Sequence, residues 1–286
     1  MLKLVITGAA AVIPPVPDPA DLDVEVWRDH DGAVAAFGHT VGGKHWMHLP
    51  GVASFGFLPS SLCVEAFAQP SVCVEWIVDA YHRTVVPMVL QVHGFEVLHA
   101  SGIRTPKGVV ALCGVKETGK STLAYALAQR GHSLWTDDAV VLRGAGTSVE
   151  ALSVPFDVRL RPASAAFFGQ NQPAAIRRAA EPLRLNPAPL AVICVLERTS
   201  ALPAGEVVQV RRLVSADALT AVLPHAYCFS LRDPARKQRM MKQYLRVVHE
   251  VPIFRLRFQT GLENLPAMLN ALEQAAAVSA HEISLV

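Results

Sequence analysis

The octapeptide Gly114-Val115-Lys116-Glu117-Thr118-Gly119-Lys120-Ser121 constrains the chain more than any other stretch, because it fits the pattern GxxxxGK[ST] and stands between two opposite kinds of segment. Before it, Val109-Val110-Ala111-Leu112-Cys113 reads as a buried strand. After it, Ser121 to Arg130 reads as a helix. A strand, glycine-bearing loop and helix in that order aim backbone N–H groups and the positive helix end at one point, which is the geometry that holds a phosphate. In such a loop, Gly114 through Thr122 supply the binding surface, Lys120 reaches the outer phosphates and the Ser121 hydroxyl takes a Mg²⁺ ion.

The chain has 286 residues, 51% of them hydrophobic and 17% charged, so a sizeable buried core is expected. A net charge of +2 gives no basic field for nucleic acid. Five scattered cysteines show no CxxC pair and no zinc spacing, and read as reduced thiols of a cytoplasmic protein. No apolar run approaches a membrane span, so no membrane partner is expected. Leu4 to Ile13 is apolar behind Lys3, as in a signal peptide, but one lysine is a thin charged region and the cytoplasmic reading is preferred.

Residues 1–85 carry short alternating segments broken by Gly, Pro and Ser, among them Val24 to Trp27, Lys44 to Leu49 and Cys63 to Phe67. They read as a small β-rich domain, with Trp27, Trp46 and Trp76 in its core. Val74 to Gln91 reads as a helix. Residues 86–286 alternate strand and helix and form an α/β domain. Strands are expected at Glu96 to Ala100, Gly108 to Cys113, Ser133 to Thr136, Leu190 to Leu196, Glu206 to Val214 and Pro252 to Phe258, with a hairpin from Ala139 to Val154. Ser215 reads as a helix cap, Asp233-Pro234 as a helix start, and Thr260 to Glu263 as a capping box. Pro155 to Pro189 has weak periodicity and reads in part as a loop, and the tail from Ser279 as loose.

Two features near the loop discriminate among the many functions a phosphate loop serves. Asp137-Asp138 ends the strand after the loop's helix, where one carboxylate can hold Mg²⁺ while the other accepts a proton. His99 precedes the loop's own strand; a satisfied core histidine is the ordinary alternative. Arg159 and Arg161 are candidates for a phosphate or carboxylate. Tyr227 and His225 are candidate pocket residues, and Arg232, Arg236, Lys237, Arg239, Lys242 and Arg246 read as a mostly solvated helix face.

The run His99 to Leu142 resembles the catalytic core of the bacterial HPr kinase/phosphorylase family and its smaller HPr-kinase-like relatives. In that family a His precedes the first loop glycine by the separation found between His99 and Gly114, and an Arg-Gly-His phrase and an Asp-Asp pair follow the loop, as do Arg130-Gly131-His132 and Asp137-Asp138 here. The resemblance implies a P-loop kinase domain of the HPr kinase C-terminal type that uses ATP, or another nucleoside phosphate, with Mg²⁺. It implies transfer to a serine-type hydroxyl of a peptide, protein or small molecule such as free serine. It implies Asp137 as general base, Asp138 and Ser121 at the metal, Lys120 and His99 at the phosphates, and assembly as a homo-oligomer. Lys116-Glu117 departs from the small residues usual there, and a carboxylate in a phosphate nest repels its ligand unless it points outward or is paired. Thr122 replaces the acidic residue of phosphorylase-competent members, and the Glu-Val-Arg-Gly signature is not recognisable, which favours the kinase side branch. A non-catalytic nucleotide-binding or scaffold protein and a plain NTPase remain as alternatives.

Overall fold

The computed structural model describes residues 2–7, 16–18, 20–21, 24–28, 31–145, 148–154, 160–169, 186–228 and 233–277. Arg159, Arg232, the tail from 279 onward and most of the 155–189 stretch lie outside the described residues. The chain divides into two compact units, one mainly of residues up to Gly94 and the other mainly from Phe95 onward. Among the described residues, no helix is long and apolar enough to cross a membrane.

The first unit carries a six-stranded sheet of β1 (Lys3–Thr7), β2 (Glu25–Arg28), β3 (Val34–Val41), β4 (Lys44–Leu49), β5 (Ala53–Phe57) and β6 (Cys63–Ala68), in the order β1-β6-β5-β4-β3-β2. All its pairings are antiparallel except β1 with β6. Register places Phe37, His48, Ser54 and Phe67 in one cross-strand row, all buried. Trp46 is buried as expected, but Trp76 is 68% exposed and belongs to no core.

The expected helix is α1 (Val74–Ala80) and α2 (Val86–Val92), joined by a π-helical turn, Tyr81–Val85. Pro87 explains the irregularity. It lacks an N–H and its ring crowds the preceding turn, and a π turn absorbs both demands.

In the second unit, β7 (Glu96–Leu98), β8 (Ala100–Thr105) and β9 (Gly108–Cys113) come first, and then α3 (Lys120–Gln129) and β10 (Ser133–Thr136). A hairpin of β11 (Val140–Ala145) and β12 (Ser148–Leu152) precedes the short α4 (Pro162–Phe167). The rest is β13 (Pro187–Arg198), β14 (Val208–Leu213), α5 (Ser215–Val222), α6 (Pro234–Glu250), β15 (Ile253–Phe258) and α7 (Leu265–Ala277). The strand read from sequence as Glu96 to Ala100 is broken at His99 into β7 and β8, which pair with different neighbours. Val214, not Ser215, occupies the cap position of α5. The expected capping box opens a 3₁₀ turn, Leu262–Asn264, before α7 starts.

β13 belongs to three ladders. Its first residues pair with β12, and its second half lies parallel to both β9 and β15. The resulting order around the loop strand is β10-β8-β9-β13-β15. β9 is buried at all six positions because its alternating side chains enter two cores. Val109, Ala111 and Cys113 share one with Val222 of α5 and Tyr244 of α6, whereas Val110 and Leu112 share the other with Leu123 of α3 and Leu272 of α7. Helices on both faces of a mixed sheet make the unit α/β.

Candidate functional site

The turn from β9 into α3 is closed by its own hydrogen bonds. Thr118 is buried, and both its N–H (3.2 Å) and its Oγ1 (2.6 Å) donate to the Val115 carbonyl. Lys120 Nζ reaches back to the carbonyls of Gly114 (2.9 Å) and Val115 (3.3 Å). Two residues hold positive φ, Glu117 at 72° and Gly119 at 108°. Glycine adopts this geometry without strain, whereas an L residue pays about 1 kcal/mol. The chain thus puts a glutamate where the backbone favours glycine.

Glu117 does not turn inward. Its Oε1 pairs with Arg161 Nη2, and both side chains are about half exposed or more. Arg161 precedes α4, and α4 is tied to the loop's helix by Thr122 Oγ1 to Ser164 Oγ (3.0 Å). The ion pair therefore draws the carboxylate outward, the condition under which the loop still accepts an anion. Replacing Glu117 by Gly should remove the backbone strain and one negative charge. A charge a few ångströms away in wet surroundings is worth about 1 kcal/mol. If the loop holds a nucleotide, as the sequence pattern implies, Glu117→Gly is expected to bind MgADP about fivefold more tightly by calorimetry; weaker binding would show that Glu117 contributes to the ligand site.

On the β8 and β10 side, Asp137 is 7% exposed, and its Oδ1 accepts hydrogen bonds from Ser101 Oγ (2.5 Å) and Ser121 Oγ (3.0 Å). β8 runs antiparallel to both β9 and β10, so the ends of β9 and β10 emerge on the same edge. This brings Asp137 to the helix start. The sequence reading put Ser121 together with Asp138, whereas the hydroxyl meets Asp137.

Asp138 follows in a left-handed conformation, φ 63°, which turns its carboxylate toward His99 Nε2, 4.0 Å away. His99 is held from the other side. Its N–H donates to the His225 carbonyl (2.7 Å), Tyr227 N–H to the Val97 carbonyl (2.8 Å), and the His99 and Tyr227 rings meet edge-on at 5.9 Å. Tyr227 OH also donates to the Asp138 carbonyl (3.3 Å). Burial, then the neighbouring Lys120 ammonium, push His99 down to about 4 against the pull of Asp138, so the imidazole is neutral at physiological pH. Burial likewise lowers Lys120, against the opposing pull of Asp138, Cys113 and Asp137.

The structure thus gathers Lys120, Ser121, Asp137, Asp138 and His99 around the loop. It assigns Arg130-Gly131-His132 elsewhere: Arg130 and His132 bind Glu273 of α7 at 2.8 and 3.3 Å and brace the fold. Sequence reading missed Ser101, whose one signal was a polar residue inside a buried strand.

Among the described residues, no three His, Cys, Asp or Glu side chains form a ready-made metal cage. Magnesium suits such a site, since it is commonly held by one or two carboxylates, a loop hydroxyl and the ligand's own phosphates. Asp137 beside Ser121 fits that requirement.

No family model matches the chain, and no curated protein matches it. Among solved structures it is similar to the HPr(Ser) kinase/phosphatase from Coxiella burnetii. The likeness has a TM-score of 0.35 and 15% identity, and it covers 62% of this chain and 88% of that one. The functional reading therefore rests on the loop and the groups around it.

Proposed function

We propose that the second unit binds a nucleoside phosphate with Mg²⁺ and transfers its terminal phosphoryl group to a hydroxyl. The observation that carries this reading is the 3.0 Å hydrogen bond between Ser121, at the start of the loop's helix, and Asp137, at the end of a neighbouring strand. A loop hydroxyl and a strand-end carboxylate side by side are the protein's share of a Mg²⁺ site in phosphate-loop enzymes. Magnesium, when bound there, neutralises charge on the outer phosphates. Lys120 exchanges its loop carbonyls for phosphate oxygens, and the loop amides complete the cradle.

The contacts support dividing the carboxylates in the order opposite to that implied by the family resemblance. Asp137, buried and already accepting two hydroxyl hydrogen bonds, suits the metal side. Asp138, 29% exposed and facing a neutral imidazole, suits the proton acceptor. In the transfer, the acceptor oxygen bonds to phosphorus, the bond to the leaving phosphate oxygen breaks, and the hydroxyl proton passes to Asp138. His99, His225 and Tyr227 line the acceptor side. The acceptor class carried forward is a serine-type hydroxyl, of a peptide, a protein or the free amino acid, in a cytoplasmic homo-oligomeric enzyme.

A nucleotide-binding role without transfer is favoured by one observation, the glutamate at loop position 117. Calorimetry separates the readings. MgADP should bind the wild type and bind Lys120→Ala at least tenfold more weakly, after which transfer from ATP to serine and serine-ending peptides is assayed. No binding to the wild type would reject the phosphate site; binding with no transfer would leave the non-catalytic role.

A further inference from the structure

The terminal residue of β13, Arg198, stands on the flank of the loop strand opposite to the carboxylates. β8 and β10 lie on one side of β9 and bring His99, Asp137 and Asp138; β13 lies on the other, with Val195 opposite Cys113, the last residue before the loop. Three residues further on, Arg198 Nε donates to the Thr118 carbonyl (3.2 Å). Its Nη2 stands 3.8 Å from the point that a Cβ on Gly119 would occupy. The other cations on this sheet end are engaged: Arg255 and Arg257 approach Glu197 at 3.7 and 3.3 Å. Arg198 has no carboxylate partner among the described residues, and it is exposed.

A guanidinium fixed through Nε and open at both Nη atoms is set to bind a phosphate in a fork or to lie against a base. Which part of the donor it meets follows from the strand order. If the terminal phosphoryl group lies by Asp137 and Asp138, a phosphate chain threaded through the loop leaves on the β13 side, and the rest of the donor passes Arg198. Resting on the phosphoryl-transfer reading above, we propose that Arg198 binds the nucleoside end of the donor, its α-phosphate and base, and so makes the site select nucleoside phosphates over pyrophosphate.

The test is calorimetry on the full chain with MgADP and magnesium pyrophosphate, comparing wild type, Arg198→Ala, Arg198→Lys and Lys120→Ala. Arg198→Ala should weaken MgADP tenfold or more and leave pyrophosphate within about twofold, while Lys120→Ala weakens both. Arg198→Lys, which keeps the charge without the planar fork, should recover only part of the loss. Equal weakening of both ligands by Arg198→Ala would make the residue a general phosphate or loop-shaping group, and unchanged affinities would make it a surface arginine; either result overturns the proposal. Failure of the wild type to bind either ligand would reject the nucleotide reading itself, and the proposal with it.

Discussion

Asp138→Asn should lower phosphoryl transfer by a factor of about 10² to 10⁴, the usual contribution of a positioned general base, while MgADP affinity stays within about threefold. The fold should tolerate the change, because asparagine accepts the left-handed conformation at 138 and keeps the carbonyl that Tyr227 holds. Asp137→Asn should behave differently. It removes negative charge beside Ser121, so the Mg²⁺ dependence of nucleotide binding should fall as well as the transfer rate. Single-turnover assays paired with calorimetry at two Mg²⁺ concentrations read both quantities. If Asp137→Asn abolishes transfer with magnesium-dependent binding intact while Asp138→Asn stays active, the roles are the reverse of those proposed.

The second large effect concerns stability. Arg236 on α6 makes two hydrogen bonds to Glu96 on β7, at 2.6 and 2.8 Å, with side chains 9% and 5% exposed. This arginine belongs to a helix face read from sequence as mostly solvated, and among the described residues of that face it is the buried exception. Glu96→Leu or Arg236→Met alone should cost about 3 to 5 kcal/mol, because each leaves a desolvated partner without its counter-charge. The double variant should recover most of that loss, since an apolar pair of similar volume has no ion to desolvate. A denaturation double-mutant cycle measures the coupling, and single losses below about 1 kcal/mol would show that the pair is wet in solution. Functionally the pair fixes β7, and β7 ends at the residue before His99.

The loop was legible because its residues are contiguous and its context is local: β9, α3 and the six-residue buried run all appear in one window of sequence. The Asp pair was legible as a strand end. The division of labour proposed for it was not, because that proposal rests on the left-handed turn at Asp138 and on Ser101, which lies 36 positions before Asp137. Glu117 with Arg161, 44 positions apart, and Arg198 with Thr118, 80 apart, were hidden for the same reason. Local signals also misled. The Thr260 to Glu263 pattern matches a capping box, yet the chain makes a 3₁₀ turn first. The break at His99 leaves no local mark, because hydrophobic alternation carries no sign of a strand changing partners.

Ser101 sits on β8, opposite Leu112 of β9, and reaches Asp137 just past the end of β10. The ladders of β8 with β9 and β10 therefore set how far Ser101 and the end of β10 stand from the loop. Arg161 and Tyr227 instead lie on connecting segments, and His225 ends a 3₁₀ turn, Leu223–His225. The molecule separates a rigid ruler from exchangeable fittings: under the transfer proposed above, altering the connections would retune which hydroxyl is admitted, while the distance from carboxylate to loop stays the same.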